Sequence, residues 1–157
     1  MINFSIICRS KHWPARLKKV NFIVEKIMTF KKELGFKINI NYNCNIILSD
    51  NNLIKKMNYK YRNNNTVTDV LTFVSEINLK KKRKTKICDM ILAAEIIKKD
   101  AAKNKITFYN HLTHLIIHSF LHLNDFTHKK FDNFNKMKEV EIKILKKLRI
   151  NNPYLCN

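Results

Sequence analysis

The stretch that decides the reading is Thr107-Phe108-Tyr109-Asn110-His111-Leu112-Thr113-His114-Leu115-Ile116-Ile117-His118-Ser119-Phe120-Leu121-His122-Leu123-Asn124-Asp125-Phe126-Thr127-His128. Its apolar residues recur at helical spacing as far as Leu123. Asn124-Asp125 then suits a turn, because both side chains cap backbone groups and tolerate left-handed backbone. His111, His114, His118, His122 and His128 crowd into this stretch, while His12 stands apart. At 100° per residue the first four lie in a stripe ~80° wide on one face of a helix.

That face alone does not make a one-ion site. His114 and His122 are separated by ~12 Å of helix rise, and Zn–N bonds are only ~2.1 Å, so only neighbours four apart converge. The third ligand has to come from outside the helix, and a chain turning back after Asn124-Asp125 brings His128 to His118 and His122. Three imidazoles with an open fourth position are the pattern of catalytic zinc, whereas structural zinc is closed by four ligands. His114 reads as a core residue or one that supports a ligand, and His111 as a surface residue at the helix start. Ser119 follows His118, so the H-E-x-x-H pattern of metallopeptidases, with its glutamate base, is absent. A metal-bound water nucleophile or a polarised phosphoryl oxygen stays available; phosphodiester hydrolysis fits the basic surface better, and a hydrolase of small substrates would use the same ligands in a closed pocket.

Outward from this stretch, Asn3 to Cys8 reads as a strand. A long amphipathic helix is expected from Pro14 to Gly35, a strand over Lys37 to Leu48, and a helix after the caps Ser49 and Asp50 that ends near Asn63. Thr68 to Ser75 and Thr85 to Leu92 read as neighbouring strands. Helices are expected over Ala93 to Lys105, Thr107 to Leu123 and Phe131 to Leu148. Strands early and helices late, without β-α alternation, give one α+β domain over 1–157, a small mixed four-stranded sheet with helices packed on it.

The chain of 157 residues carries 31 Lys+Arg against 12 Asp+Glu, a net +19. Polyanions are the natural partners of such a surface, although abundant Lys, Asn and Ile beside one Gly also has the look of coding bias. Lys80, Lys81, Lys82, Arg83 and Lys84, with Lys86, form the densest basic run, a solvated loop or an RNA contact. Tyr59, Tyr61, Phe126 and Phe131 offer base-stacking surfaces, with core packing the commoner role for such rings. No run approaches the ~20 apolar residues of a membrane-spanning helix. Cys8, Cys44, Cys88 and Cys156 form no C-x-x-C pair and read as small buried apolar residues. Apolar residues precede Arg9 and Lys11 at the N-terminus, the reverse of a signal peptide, so a reducing cytoplasm is expected.

The segment His118 to His128 resembles the signature H-G-x-L-H-L-x-G-[YF]-D-H of the YbeY endoribonucleases. Met57-Asn58-Tyr59-Lys60-Tyr61-Arg62 and Thr68-Asp69-Val70-Leu71-Thr72-Phe73 are similar to that family's L-N-x-x-[YF]-R and T-[DN]-V-L-S-F. Cys88-Asp89-Met90-Ile91 sits where the family has G-D-I/L-x, and Met137 with Glu141 matches its late M-x-x-x-E. The resemblance runs from Ile38 to Leu148. It implies one Zn2+ per chain on His118, His122 and His128, and cleavage of single-stranded RNA. It also implies a part in small-subunit (16S) rRNA 3′-end maturation and ribosome quality control, with rRNA and small ribosomal subunit proteins as partners. Arg62 matches the family's functionally important arginine, and a guanidinium there would grip a scissile phosphate by paired hydrogen bonds.

Three residues depart from the signature: Ser119 and Asp125 replace glycines, and Thr127 replaces an aspartate. Cys88 also stands for a glycine. Asp tolerates a positive φ better than most residues, while Thr127 lacks the charge that orients imidazoles or draws in water. These departures define the alternative reading, a catalytically weakened RNA-binding factor of the ribosome that keeps its metal.

Overall fold

The computed structural model describes residues 1–78, 84–127 and 131–155. Strands β1 (Ile2–Cys8), β2 (Asn41–Ser49), β3 (Val70–Ile77) and β4 (Thr85–Ala93) form one sheet in the order β1-β2-β4-β3. β1 is parallel to β2 and β2 to β4, while β3 pairs antiparallel with β4. The helices among the described residues are α1 (Leu17–Met28), α2 (Asn51–Arg62), α3 (Ala94–Lys103), α4 (Phe108–Leu123) and α5 (Phe131–Lys147). This is the mixed α+β arrangement expected from the sequence. None of these helices is long and apolar enough to cross a membrane.

Period-two alternation sorts the central strands between two faces. Cys44, Ile46 and Leu48 of β2 and Cys88, Met90 and Leu92 of β4 enter the larger core with residues of α1, α3, α4 and α5. Ile91 and Ala93 turn the other way and pack with Ile54 of α2 and Leu71 of β3. α4 is the hub. Leu112, Leu115, Ile116, Ile117, Phe120, Leu121 and Leu123 are all buried, each contributing ~1.5–3 kcal/mol on burial. A helix clasped on so much of its circumference is fixed in rotation, so the core aims its histidines.

The structure corrects several expectations. The helix expected from Pro14 to Gly35 is a 3-10 turn, Pro14–Arg16, followed by α1, which stops at Met28. The N–H groups of Phe30 and Lys31 bond to carbonyls three residues back, at 3.0 and 3.3 Å, and the Thr29 hydroxyl donates to the Lys26 carbonyl at 2.7 Å. A tightened last turn with a Thr hydroxyl competing for a carbonyl ends the helix there. Gly35, at φ 83°, closes the turns that follow. A Cβ at that position would lie 3.3 Å from Asn124 Cβ, which brings these turns against the end of α4. β2 begins at Asn41, later than the expected Lys37. Cys8 is exposed, while Cys44 and Cys88 are buried neighbours on β2 and β4; burial pushes the Cys44 thiol up to about 12 and raises Cys88 further. Cys156 lies outside the described residues.

Candidate active site

The Thr107 hydroxyl caps α4, accepting from the Asn110 N–H at 3.1 Å. Three and four turns on, His118 and His122 project from one side, with ring centroids 4.6 Å apart and planes at 83°. Their Nε2 atoms face each other at 3.0 Å. The opposite nitrogen of each ring is tied. His118 Nδ1 meets Glu141 Oε1 at 2.6 Å, and His122 Nδ1 meets the Phe126 carbonyl at 3.0 Å. A carboxylate and a carbonyl only accept, so each Nδ1 carries a proton, and each ring turns its Nε2 towards the other, where neutral imidazoles could both donate to one ion.

Glu141 comes from α5 and is fully buried. It accepts from His118, from His114 Nε2 at 3.3 Å, and from the Tyr154 hydroxyl. Burial pushes its carboxyl up, but the bonds from His114 and His118, joined by Tyr154, outweigh that and hold it at about 2. Burial and the adjacent carboxylate raise the Tyr154 phenol in turn. His114, His118 and Glu141 place ligand-type atoms within 4.8 Å of one another.

The chain leaves α4 through a turn in which the Asn124 and Phe126 N–H groups bond to the Leu121 carbonyl at 2.9 and 3.1 Å. Asp125 takes φ 69°, the left-handed backbone for which a glycine is the usual residue. Beneath it lies a lysine with no separate role in the sequence reading. Lys86, on β4, has a side chain only 3% exposed, yet its ammonium donates to the Leu123 carbonyl at 3.0 Å and to Asp125 Oδ2 at 2.6 Å. A cation at a helix C-terminus meets the negative end of the dipole, and the carboxylate offsets its desolvation. Ser119 is buried and satisfied: it accepts from the Thr72 hydroxyl at 2.8 Å and donates to the Leu115 carbonyl at 2.9 Å.

Arg62 stands at the end of α2, which Asp50 caps at its start and Asn63 closes with a left-handed φ of 52°. Its guanidinium donates to the Thr72 carbonyl at 3.4 Å and lies 5.7 Å from the centre of the Phe73 ring. Since Thr72 also bonds to Ser119, β3 links Arg62 to the residue beside His118. Tyr59 and Tyr61 are 59% and 57% exposed, not core residues, and Tyr61 packs against Phe73 with ring centroids 5.1 Å apart. Phe126 is half-buried against the core. Lys84 is paired with Glu76 at 2.6 Å, tying the ends of β3 and β4. His128, Lys80, Lys81, Lys82 and Arg83 lie outside the described residues, as does the Phe131 side chain. His111, expected at the surface, is buried.

The profile of the family "Endoribonuclease YbeY" matches residues 5–149. The chain belongs to the YbeY family. An endoribonuclease YbeY of Buchnera aphidicola is 34% identical over 141 residues, covering 88% of this chain and 91% of its own. One from Ehrlichia ruminantium is 32% identical over 150 residues, covering 92% and 90%. The solution structure of TM1509 from Thermotoga maritima shares the fold at TM-score 0.60 and 25% identity, over 94% of this chain and 92% of that one. The YbeY resemblance seen in the sequence is therefore upheld. Sequence reasoning gave no role to Tyr154, placed Lys86 only in the basic run, where the structure finds it buried instead, and included Glu141 only as part of a pattern. Their signal is tertiary: each acts on α4 from a distant segment.

Proposed function

We propose that this chain is a zinc-dependent endoribonuclease of the YbeY family that cuts single-stranded RNA, with His118, His122 and His128 holding one divalent ion. The observation that carries this reading is the approach of the His118 and His122 Nε2 atoms to 3.0 Å of each other. Two donors on one ion at ~2.1 Å from each lie ~3–3.5 Å apart, so little movement is needed. Glu141 orients rather than ligates in this reading. Its 2.6 Å contact with His118 is the length of a charge-assisted hydrogen bond, and carboxylate–histidine–metal relays fix a ligand's tautomer in this way. Imidazole donors suit zinc.

When bound, the ion supplies Lewis acidity at a phosphoryl oxygen and a lower proton affinity for water. The chain's own residues do the rest. Glu141 and the Phe126 carbonyl hold the two rings by their Nδ1 protons, and Lys86 pins the turn that leads to His128. Arg62 grips the scissile phosphate and stabilises charge gathering on it. Exposed Tyr59 and Tyr61 stack bases beside it, and the net charge of +19 draws in the polyanion. The physiological substrate in this reading is the 3′ end of the small-subunit (16S) rRNA, in maturation and ribosome quality control, with small ribosomal subunit proteins as cytoplasmic partners.

The test is cleavage of an unstructured RNA by wild type and His122→Ala, with circular dichroism confirming the fold. Loss of cleavage together with one bound ion supports the reading, and undiminished cleavage refutes it. Thr127, in place of the family's aspartate, favours the second reading of a weakened enzyme. Thr127→Asp raises the rate if that reading holds.

A further inference from the structure

A second group of ligand-type side chains sits at the other end of α4. Asp69, just before β3, Asp100 on α3 and His111 on α4 place one carboxylate oxygen each and an imidazole nitrogen within 4.8 Å of one another. His111 is 8% exposed, and its Nε2 is buried with no hydrogen-bond partner. That nitrogen faces Asp69 Oδ2 at 3.5 Å, outside hydrogen-bonding geometry. The other Asp69 oxygen is occupied, accepting from the Val70 N–H at 2.8 Å and the Thr68 hydroxyl at 3.2 Å. A buried imidazole nitrogen without a hydrogen bond, 3.5 Å from one carboxylate and on a ring grouped with a second, is a costly arrangement to keep.

We infer that Asp69, Asp100 and His111 form a second divalent-cation site, distinct from the one on His118 and His122. Donors on a common transition-metal ion lie ~3–4 Å apart, so closing this set requires side-chain movements under ~1 Å. Two carboxylates and one imidazole suit Mn2+ or Zn2+. Two negative charges facing one doubly charged ion also balance within a half-buried site.

The spacing fixes the role. His111 precedes His118 by seven residues, ~10 Å of helix rise. Two-metal catalysis needs ions ~3.5–4 Å apart. This ion therefore does not share a phosphate with the first. It staples α3 and the start of β3 to α4, and so fixes the register of the helix that carries His118 and of the strand whose Thr72 meets Ser119 and Arg62.

The experiment is metal counting on the chelator-stripped full chain, reloaded with Zn2+ or with Mn2+, desalted and analysed by plasma mass spectrometry, alongside melting scans. Two equivalents per chain are expected for wild type. Asp100→Asn and His122→Ala each lose one, and the double variant loses both. Asp100→Asn melts at the wild-type temperature when stripped and forfeits part of the metal-dependent rise. Loss of an ion on Asp100→Asn but not on His122→Ala supports this site and counts against the catalytic one. Metal content and metal-dependent melting unchanged by Asp100→Asn overturn the inference, leaving Asp69, Asp100 and His111 an ion cluster without a metal. Whichever ion survives desalting settles the choice between zinc and manganese.

Discussion

The histidine end of the site and the arginine end are built to different standards. His118 and His122 stand on a helix locked by core packing, and each ring is fixed through its second nitrogen, His118 by Glu141 of α5 and His122 by the Phe126 carbonyl in the turn after α4. Arg62 ends an exposed helix, held by one 3.4 Å hydrogen bond and the face of Phe73. A metal ligand must hold its place to tenths of an ångström, because donor distances are nearly invariant. A phosphate clamp tolerates more freedom and gains from it, since it has to follow a flexible strand and a changing charge. Rigidity is concentrated where coordination chemistry requires it.

The largest effect expected from disturbing this contrast falls on Glu141. Glu141→Ala leaves two half-buried imidazoles without their acceptor, which is expected to cost on the order of 3 kcal/mol by urea unfolding and to lower metal affinity 10–100-fold. If stability and metal content stay at wild-type values, the rigid end is not held as described. The pH dependence carries a sign. The Glu141 carboxyl is held at about 2 in the fold against an ordinary 4.5, so the unfolded chain binds its proton more tightly. Its contribution, on the order of 3 kcal/mol, is complete above about pH 4.5 and is lost as the pH falls from 4.5 towards 2. The stability gap between wild type and Glu141→Gln therefore closes on acidification. A gap that widened would contradict the assignment.

At the arginine end the effect is on rate alone. Arg62→Ala is expected to slow RNA cleavage ~10²–10³-fold, the magnitude of losing one donor to developing charge, with metal content and melting temperature unchanged. Arg62→Lys falls between, keeping charge without the paired geometry. A large loss of stability in Arg62→Ala would make it a structural residue instead. Smallest is Asp125→Gly. It relieves a left-handed backbone, worth ~1 kcal/mol, but leaves the buried Lys86 ammonium with the Leu123 carbonyl alone, a larger loss, so a net destabilisation on the order of 2 kcal/mol is expected by urea unfolding.

The same contrast marks what the sequence made legible. The stripe of histidines could be read because a helix repeats at a known angle, and the sheet because Ile, Val and Cys alternate on its strands. α1 was read too long because its apolar spacing continues past Met28, while the helix ends through Thr29's hydroxyl and tightened backbone turns that no periodicity reveals. His111 was misplaced because a helix start is usually exposed; here α3 and the segment before β3 cover it. Glu141 and Lys86 act across more than 20 residues of chain and Tyr154 reaches Glu141 across 13, so their parts follow from tertiary convergence. Arg62 carried no local signal and became notable only through family likeness.

The central claim is that the Nε2 atoms of His118 and His122 share one ion. It is tested most directly by zinc-edge X-ray absorption on the zinc-loaded Asp100→Asn chain, in which only that ion remains. The account requires a nitrogen-dominated shell at ~2.0–2.1 Å with imidazole outer-shell scattering, diminished or absent when His122→Ala is added. A shell of carboxylate oxygens, or a spectrum indifferent to His122, would contradict it.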